Sequence, residues 1–309
     1  MSRTITLDSK IYIAGHNGMV GSACWRALKA KGYKSIIGFG SKELDLRDQR
    51  SVFNILEREK PEAIIDAAAK VGGILSNSTY PYEFLMDNML IQNNLIKAAH
   101  ELDIPKLIFL GSSCVYPKMA PQPLKEKYLL TGPLEETNQW YAIAKISGVK
   151  LIEALREQFK RDYVSLMPTN LYGPGDNYDL KTSHVLPAML RKFHEAKQNN
   201  HADVVLWGTG SPKREFLHVD DLANAVVYAL ENKLDRSLYN IGSGEEVSIK
   251  ELASLIKNIT RFKGEIIWDK TKPDGTPRKL LDSFKINKLG WNSRINLHTG
   301  VEKVYKSQF

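Results

Sequence analysis

The chain has 309 residues, 43% hydrophobic and 25% charged, a globular composition that excludes a disordered chain, a collagen-like repeat and a disulfide miniprotein. At about 150 residues per domain, it predicts roughly two domains. Formal net charge is +8, but it is spread evenly: 22 Lys and Arg face 18 Asp and Glu over residues 1–174, and 21 face 17 over 175–309. With no basic tail or Arg-rich arm, nucleic acid is not expected as a partner, although a few cations remain for a phosphate-bearing ligand.

Met1 to Lys10 is polar and lacks the apolar stretch of a secretory signal. Ile11 to Ala14 reads as a short buried strand. Gly15-His-Asn-Gly18-Met-Val-Gly21 follows, then apolar residues at helical spacing (Val20, Ala23, Cys24, Ala27, Leu28), with Gly32 closing the helix. Ile36 and Ile37 mark a second strand, and Asp48 caps a helix carrying Val52, Ile55 and Leu56. Ala63 to Ala67 reads as a third strand, about Pro81 to Leu102 as a long helix, Leu107 to Leu110 as a fourth strand, about Gln139 to Lys160 as a second long helix, and Val164 to Met167 as a fifth strand. This alternation predicts an α/β fold with a doubly wound parallel Rossmann sheet. The expected division is a Rossmann domain over 1–171 and a smaller C-terminal α/β domain over 172–309, with a return to the first near 214–241. Beyond Tyr172, one helix carries Val185, Leu186, Met189, Leu190 and Phe193, and Lys272-Pro-Asp-Gly-Thr-Pro-Arg-Lys279 reads as a long loop. No apolar run approaches ~18 residues, so no membrane span is expected. Two cysteines, Cys24 and Cys114, are too few for a Cys₄ zinc site; no metal is expected, and a reducing, cytoplasmic compartment is.

Gly15, Gly18 and Gly21 lie between the first strand and the first helix, where such glycines allow a tight turn, close approach of a pyrophosphate, and helix–strand packing. The helix N-terminus adds free N–H groups and partial positive charge. The spacing is G-x-x-G-x-x-G. Tyr141 and Lys145 share a helix face, four residues apart. An adjacent ammonium is expected to lower the phenol pKa, so that Tyr141 trades a proton with a hydroxyl or ketone near neutral pH. Alone the pair is a weak signal. It gains weight from Gly111-Ser-Ser-Cys-Val-Tyr-Pro117 at the C-terminal end of the fourth strand, where ligands bind in open parallel sheets and Ser112 can bond the same oxygen.

At this point the chain resembles the extended short-chain dehydrogenase/reductases, and within them the GDP-L-fucose synthase family. The matching stretches are Ala14–Ser22, Ala67-Ala-Ala-Lys-Val-Gly-Gly73, Leu110–Pro117, Tyr141-Ala-Ile-Ala-Lys145, Met167-Pro-Thr-Asn-Leu-Tyr-Gly-Pro174, Arg214-Glu-Phe-Leu-His-Val-Asp-Asp221 and Lys272–Lys279, spread over nearly the whole chain. The resemblance implies epimerisation of GDP-4-keto-6-deoxy-D-mannose at C3 and C5, then reduction of the C4 ketone by NADPH. It makes Ser112, Tyr141 and Lys145 the reductase triad and Cys114 with His184 the epimerase acid/base pair. It places NADP(H) against Gly15, His16, Asn17, Gly18, Met19, Val20 and Gly21, against Ser41 and Lys42, against Leu110, Gly111, Ser112 and Ser113, against Tyr141 and Lys145, against Pro168, Thr169, Asn170 and Leu171, and against His184. It places Lys192, Trp207, Arg214 and Asp274 at the GDP-sugar, the two cations suiting a diphosphate.

Simpler readings stand beside these. Cys114 can be a small buried hydrophobe, His184 a helix cap, Lys192 a solvated cation, Trp207 a core residue and Asp274 a turn former. Arginines that usually hold the 2′-phosphate near the second strand and in the glycine loop are missing. Asn17 and Gly38-Phe-Gly-Ser-Lys42 stand there, with Glu43 as the nearest acid. NADP(H) is therefore expected with a weakened preference over NAD(H). The rival readings are a 4-reductase, 4-epimerase or 4,6-dehydratase on the same scaffold, or a non-catalytic NADP-binding module. The family further implies a homodimer paired through the two long helices.

Overall fold

The computed structural model describes residues 4–272 and 274–309; Met1–Arg3 and Pro273, the latter inside the Lys272–Lys279 motif, lie outside the described residues. In chain order the strands are β1 (Lys10–Ala14), β2 (Ser35–Ile37), β3 (Ala63–Asp66), β4 (Lys106–Leu110), β5 (Asp162–Pro168), β6 (Asn170–Tyr172), β7 (Asp203–Trp207), β8 (Lys213–His218), β9 (Leu238–Ile241), β10 (Glu246–Ser248), β11 (Glu265–Asp269) and β12 (Arg278–Lys279). The helices are α1 (Met19–Lys31), α2 (Gln49–Glu59), α3 (Ile74–Thr79), α4 (Pro81–Glu101), α5 (Gln139–Phe159), α6 (Val185–Gln198), α7 (Val219–Glu231), α8 (Ile249–Thr260), α9 (Phe284–Lys288) and α10 (Leu297–Gln308).

β3, β4 and β5 are buried at every position, which is why they read as unbroken apolar runs rather than alternating ones. They form the middle of a parallel sheet of order β2-β1-β3-β4-β5-β9. Helices cover both faces: α1 and α7 pack together over one, while α2, α4 and α5 cover the other. From β1 the chain goes to β2 on one side, then crosses to β3 on the other. That reversal opens a crevice at the C-terminal ends of β1 and β3. Local signals place the helix ends. Asp48 caps α2 by accepting from the Arg50 N–H, and α1 stops at Gly32.

From β6 onward, β6, β10 and β12 join β8 in a second sheet, and β7 pairs in parallel with β11. A third core forms where α6, α8 and α10 pack. The 214–241 segment divides: Arg214–His218 belong to β8 of the second sheet, and α7 with β9 carry the chain back, β9 pairing in parallel with β5. Glu215 fastens the junction. Its fully buried carboxylate accepts from Gly244 N–H at 2.7 Å and Leu281 N–H at 3.0 Å. The Lys272–Lys279 stretch is not loop throughout: its end forms β12, whose parallel register sets Lys279 beside Arg214. No helix among the described residues is long and apolar enough to cross a membrane.

Candidate active site

The glycine loop closes β1 onto β3 and α1. A Cβ on Gly15, whose φ is +76°, would lie 2.9 Å from the Ala67 carbonyl and Ala68 backbone at the end of β3. A Cβ on Gly21 would lie 2.1 Å from the Gly15 carbonyl, so helix and turn meet at a distance only glycine allows. Gly18 donates its N–H to that carbonyl at 3.0 Å and begins α1, with no side-chain cap and no acid in the first turn. A Cβ there would meet nothing nearer than 3.4 Å. The N-terminus of α1 is thus open and electropositive, with half-buried Met19 and Val20 as its first residues, and it fits the pyrophosphate of a dinucleotide.

His16 wedges between loop and β2. Its ring occupies the space above Gly38, where a Cβ would lie 2.5 Å from His16 Cγ, and its buried Nδ1 has no partner. Asn17 Nδ2 approaches Gly40, whose N–H bonds the Glu43 carboxylate at 2.7 Å. Ser41 and Lys42 are exposed beside it. The end of β2 therefore offers one lysine, two neutral polar groups and one carboxylate where a 2′-phosphate would prefer fixed guanidinium groups.

Leu110 ends β4, Gly111 follows it, and Ser112 caps the short 3₁₀ turn Ser113–Val115, its Oγ accepting from Cys114 N–H at 3.4 Å. Ser113 and Cys114 are buried. Burial pushes the Cys114 thiol up, opposed first by the Lys279 ammonium, then by the Ser112 hydroxyl and by Lys145. From α5, Lys145 reaches the end of β4. Its Nζ donates to the Leu110 carbonyl at 2.9 Å and lies 4.6 Å from the Phe109 ring centroid and 5.9 Å from that of Tyr141.

This overturns the expectation that Lys145 lowers the Tyr141 phenol. Burial, the Cys114 thiol and Asp66 all push that phenol up, because the ammonium points at the strand carbonyl and the ring face rather than at the hydroxyl. In the unliganded cleft Tyr141 is a protonated acid.

His184 is the N-cap residue of α6, yet its side chain makes no cap bond. That removes the simple capping role. The Asp179–His184 loop docks on the glycines of the second matching stretch, Gly73 donating to the Thr182 carbonyl at 2.9 Å. Its imidazole is solvent-accessible; desolvation by the surrounding cleft and then the Lys279 charge hold its pKa below the usual value, leaving it neutral. Lys279 thus acts on both Cys114 and His184 and lines one cavity with Cys114, Tyr116 and Glu135. Lys279 closes the Lys272–Lys279 motif, and its role emerges only from the β12–β8 register, which spacing does not carry.

The four residues expected at a GDP-sugar gather around the end of β7. Lys192 Nζ donates to the Val205 carbonyl at 3.1 Å, and Trp207 is 62% exposed, which removes the core reading. Asp274 packs on Gly208, its carboxylate accepting from Thr209 N–H at 2.7 Å and Thr209 Oγ1 at 2.8 Å. A Cβ on the next residue, Gly275, would lie 3.5 Å from an Arg214 Nη. Arg214 is half-buried beside Lys279, so this cluster continues into the Cys114 cavity. Pro168 ends β5 and Leu171 packs in the core. The Thr169 hydroxyl and Asn170 amide both donate to the Glu215 carbonyl, tying β6 to β8. Among the described residues no group of three or more His, Cys, Asp or Glu could hold a metal ion.

The family model described as "NAD dependent epimerase/dehydratase family" matches residues 11–242. A putative GDP-L-fucose synthase 2 of Arabidopsis thaliana is 54% identical over 97% of this chain and 91% of its own length. The GDP-L-fucose synthase of Escherichia coli strain K12 is 49% identical over 96% of this chain and 95% of its own. Among solved structures, the GDP-mannoheptose C4 reductase MlghC of Campylobacter jejuni, with NADP bound, superposes with a TM-score of 0.90 at 36% identity, covering 98% of each chain. The chain therefore belongs to the NAD dependent epimerase/dehydratase family, and within it to the GDP-L-fucose synthases.

Proposed function

We propose that this protein converts GDP-4-keto-6-deoxy-D-mannose to GDP-L-fucose, inverting C3 and C5 and then reducing the C4 ketone with NADPH. The observation that carries the reading is that Cys114 and Lys279 line a cavity at the turn after β4, where Ser112 accepts from the Cys114 N–H, Lys145 reaches in from α5 to the Leu110 carbonyl, and the Tyr141 phenol lies within electrostatic reach of Cys114. A proton carrier for C–H chemistry and a proton donor for a ketone thus meet at one place. Glycine-loop geometry supports NADP(H), held through its pyrophosphate at Gly15–Gly21; when bound, the nicotinamide supplies hydride to C4.

A ketone at C4 acidifies the protons on both neighbouring carbons. Cys114 and His184 exchange those protons from opposite sides of the sugar, one removing and the other returning, so that the centre inverts. Ser112 and Tyr141 hold the oxygen, which becomes an enolate during inversion. Tyr141 then gives its proton to that oxygen as hydride arrives, and Lys145 steadies the resulting phenolate. Lys279 favours the thiolate of Cys114 against burial. Arg214 and Lys192 hold the diphosphate, and Trp207 packs against the ligand. Cys114 and His184 favour this reading over a reductase acting alone, which has no use for the pair.

Two finer readings accompany it. Met86, Leu90, Trp140 and Ile143 are exposed on α4 and α5, which pack side by side, and this supports pairing of two copies through those helices. Free Cys24 and Cys114 fit a reducing compartment, the cytoplasm. The test is incubation with GDP-4-keto-6-deoxymannose and NADPH, followed by NMR of the product. In deuterated water, Cys114→Ala should take up no solvent deuterium at C3 and C5 while still binding NADPH. Exchange at the wild-type rate would show that Cys114 is not the proton carrier.

A further inference from the structure

Asp66 ends β3, immediately before the Ala67–Ala68 backbone that receives Gly15. Asp66 is 0% exposed. The parallel register sets it beside Ala14 of β1 on one side and Phe109 of β4 on the other. One oxygen accepts from Ala68 N–H at 3.3 Å; the other has no protein partner, and neither does the buried hydroxyl of Tyr12. Such a burial is costly unless a cation answers it. The cation is close. Lys145 Nζ lies 4.6 Å from the centroid of Phe109, the residue paired with Asp66 in the sheet. The two do not touch, since Lys145 donates to the Leu110 carbonyl.

We infer that Asp66 is a positioning residue: its carboxylate is the buried counter-charge that keeps Lys145 a cation at the end of β4, beside the ring of Tyr141. The inference rests on the reductase reading above. The ionisable groups facing Asp66 are Tyr12 from β1 and Lys145 and Tyr141 from α5, while Lys145 faces Asp66 and Cys114. Burial pushes the Asp66 carboxyl up to about 6, with Lys145 pulling it down. Above that pH Asp66 is negative and raises the proton affinity of both Lys145 and Tyr141; below it the support is withdrawn. Ketone reduction needs Lys145 charged, to steady the phenolate that Tyr141 leaves behind. A charged Asp66 therefore extends activity toward alkaline pH, and a neutral residue in its place draws the alkaline limb inward.

Asp66→Asn removes the charge at nearly constant volume. Its alkaline limb for ketone-dependent NADPH oxidation should fall by about one pH unit, and the inflection that Asp66 gives near pH 6 should vanish. Lysine side-chain NMR of the unliganded protein should show the Lys145 ammonium titrating lower by a similar shift. Lower activity with neither titration moved would make Asp66 a packing residue and overturn the inference. If Asp66→Asn does not fold, Lys145→Met gives the reciprocal reading: the Asp66 carboxyl, followed by NMR, should titrate higher once the cation is gone, and an unmoved value overturns the inference equally. A wild-type protein inert toward every ketosugar would sink the reductase reading, while the unliganded titrations would still judge the electrostatic claim.

Discussion

Gly18→Ala separates the fold of the glycine loop from its ligand. A Cβ at Gly18 meets only the Gly15 carbonyl, at 3.4 Å, an ordinary contact, and Gly18 has a φ of −77° that alanine adopts freely. The folded protein should lose only the small N-cap preference for glycine over alanine, about 0.5 kcal/mol, or about 1–2 °C in Tm. The new methyl, however, occupies the open face where a pyrophosphate must approach. An added methyl in a close contact costs about 1–3 kcal/mol, so Kd for NADPH should rise roughly 10- to 100-fold. Gly21→Ala is the contrast: its Cβ would fall about 1.3 Å short of the 3.4 Å of ordinary contact against the Gly15 carbonyl, so stability and binding should drop together. Fluorescence titration of NADPH, with Tm from calorimetry, reads both. A Gly18→Ala protein of near-native stability and unchanged NADPH affinity would refute the placement of the pyrophosphate on this loop.

Three other outcomes are expected. Tyr141→Phe should slow ketone reduction by roughly 100-fold or more, while solvent deuterium still enters at C3 and C5; equal loss of both would tie Tyr141 to inversion as tightly as to reduction. Lys279→Met should move the thiol of Cys114 further up and the imidazole of His184 back up, since the ammonium pulls both down. Because Cys24 is fully buried, the pH midpoint of alkylation by iodoacetamide reports on Cys114 and should shift to higher pH, the neutral-pH rate falling roughly tenfold per pKa unit. A stationary midpoint would remove Lys279 from the thiol's environment. Finally, one lysine and one nearby carboxylate at the end of β2 predict a kcat/KM ratio for NADPH over NADH below about a thousand; a larger ratio would mean that other residues grip the 2′-phosphate.

Much of the fold was legible because the central strands are buried on both faces. Runs such as Leu107–Leu110 carry no alternation and sit between helices of regular period, so the parallel sheet follows from pattern alone. The glycine loop was legible for a related reason: Gly15 and Gly21 answer contacts between elements adjacent in sequence or one strand apart. The second sheet was harder. β10 and β12 have three and two residues, too short for periodicity, and β12 exists because of its pairing with β8, some sixty residues earlier. Lys279 was missed with it. Asp66 was missed because a single carboxyl at the end of an apolar run has no spacing signature.

The Tyr141–Lys145 pair shows where such reading stops. Helical spacing puts the two side chains on one face, and the structure agrees. What a charge does to a phenol depends on where the ammonium's donors go. Lys145 is claimed by the Leu110 carbonyl, on a strand 35 residues away in sequence, and by the Phe109 ring. Desolvation then wins over a cation that faces elsewhere, and the phenol rises instead of falling. For a reaction whose last step donates a proton to a ketone, that direction is the useful one. The resting tyrosine keeps its proton, and Lys145 matters most after the proton has left, when a buried phenolate needs an adjacent positive charge.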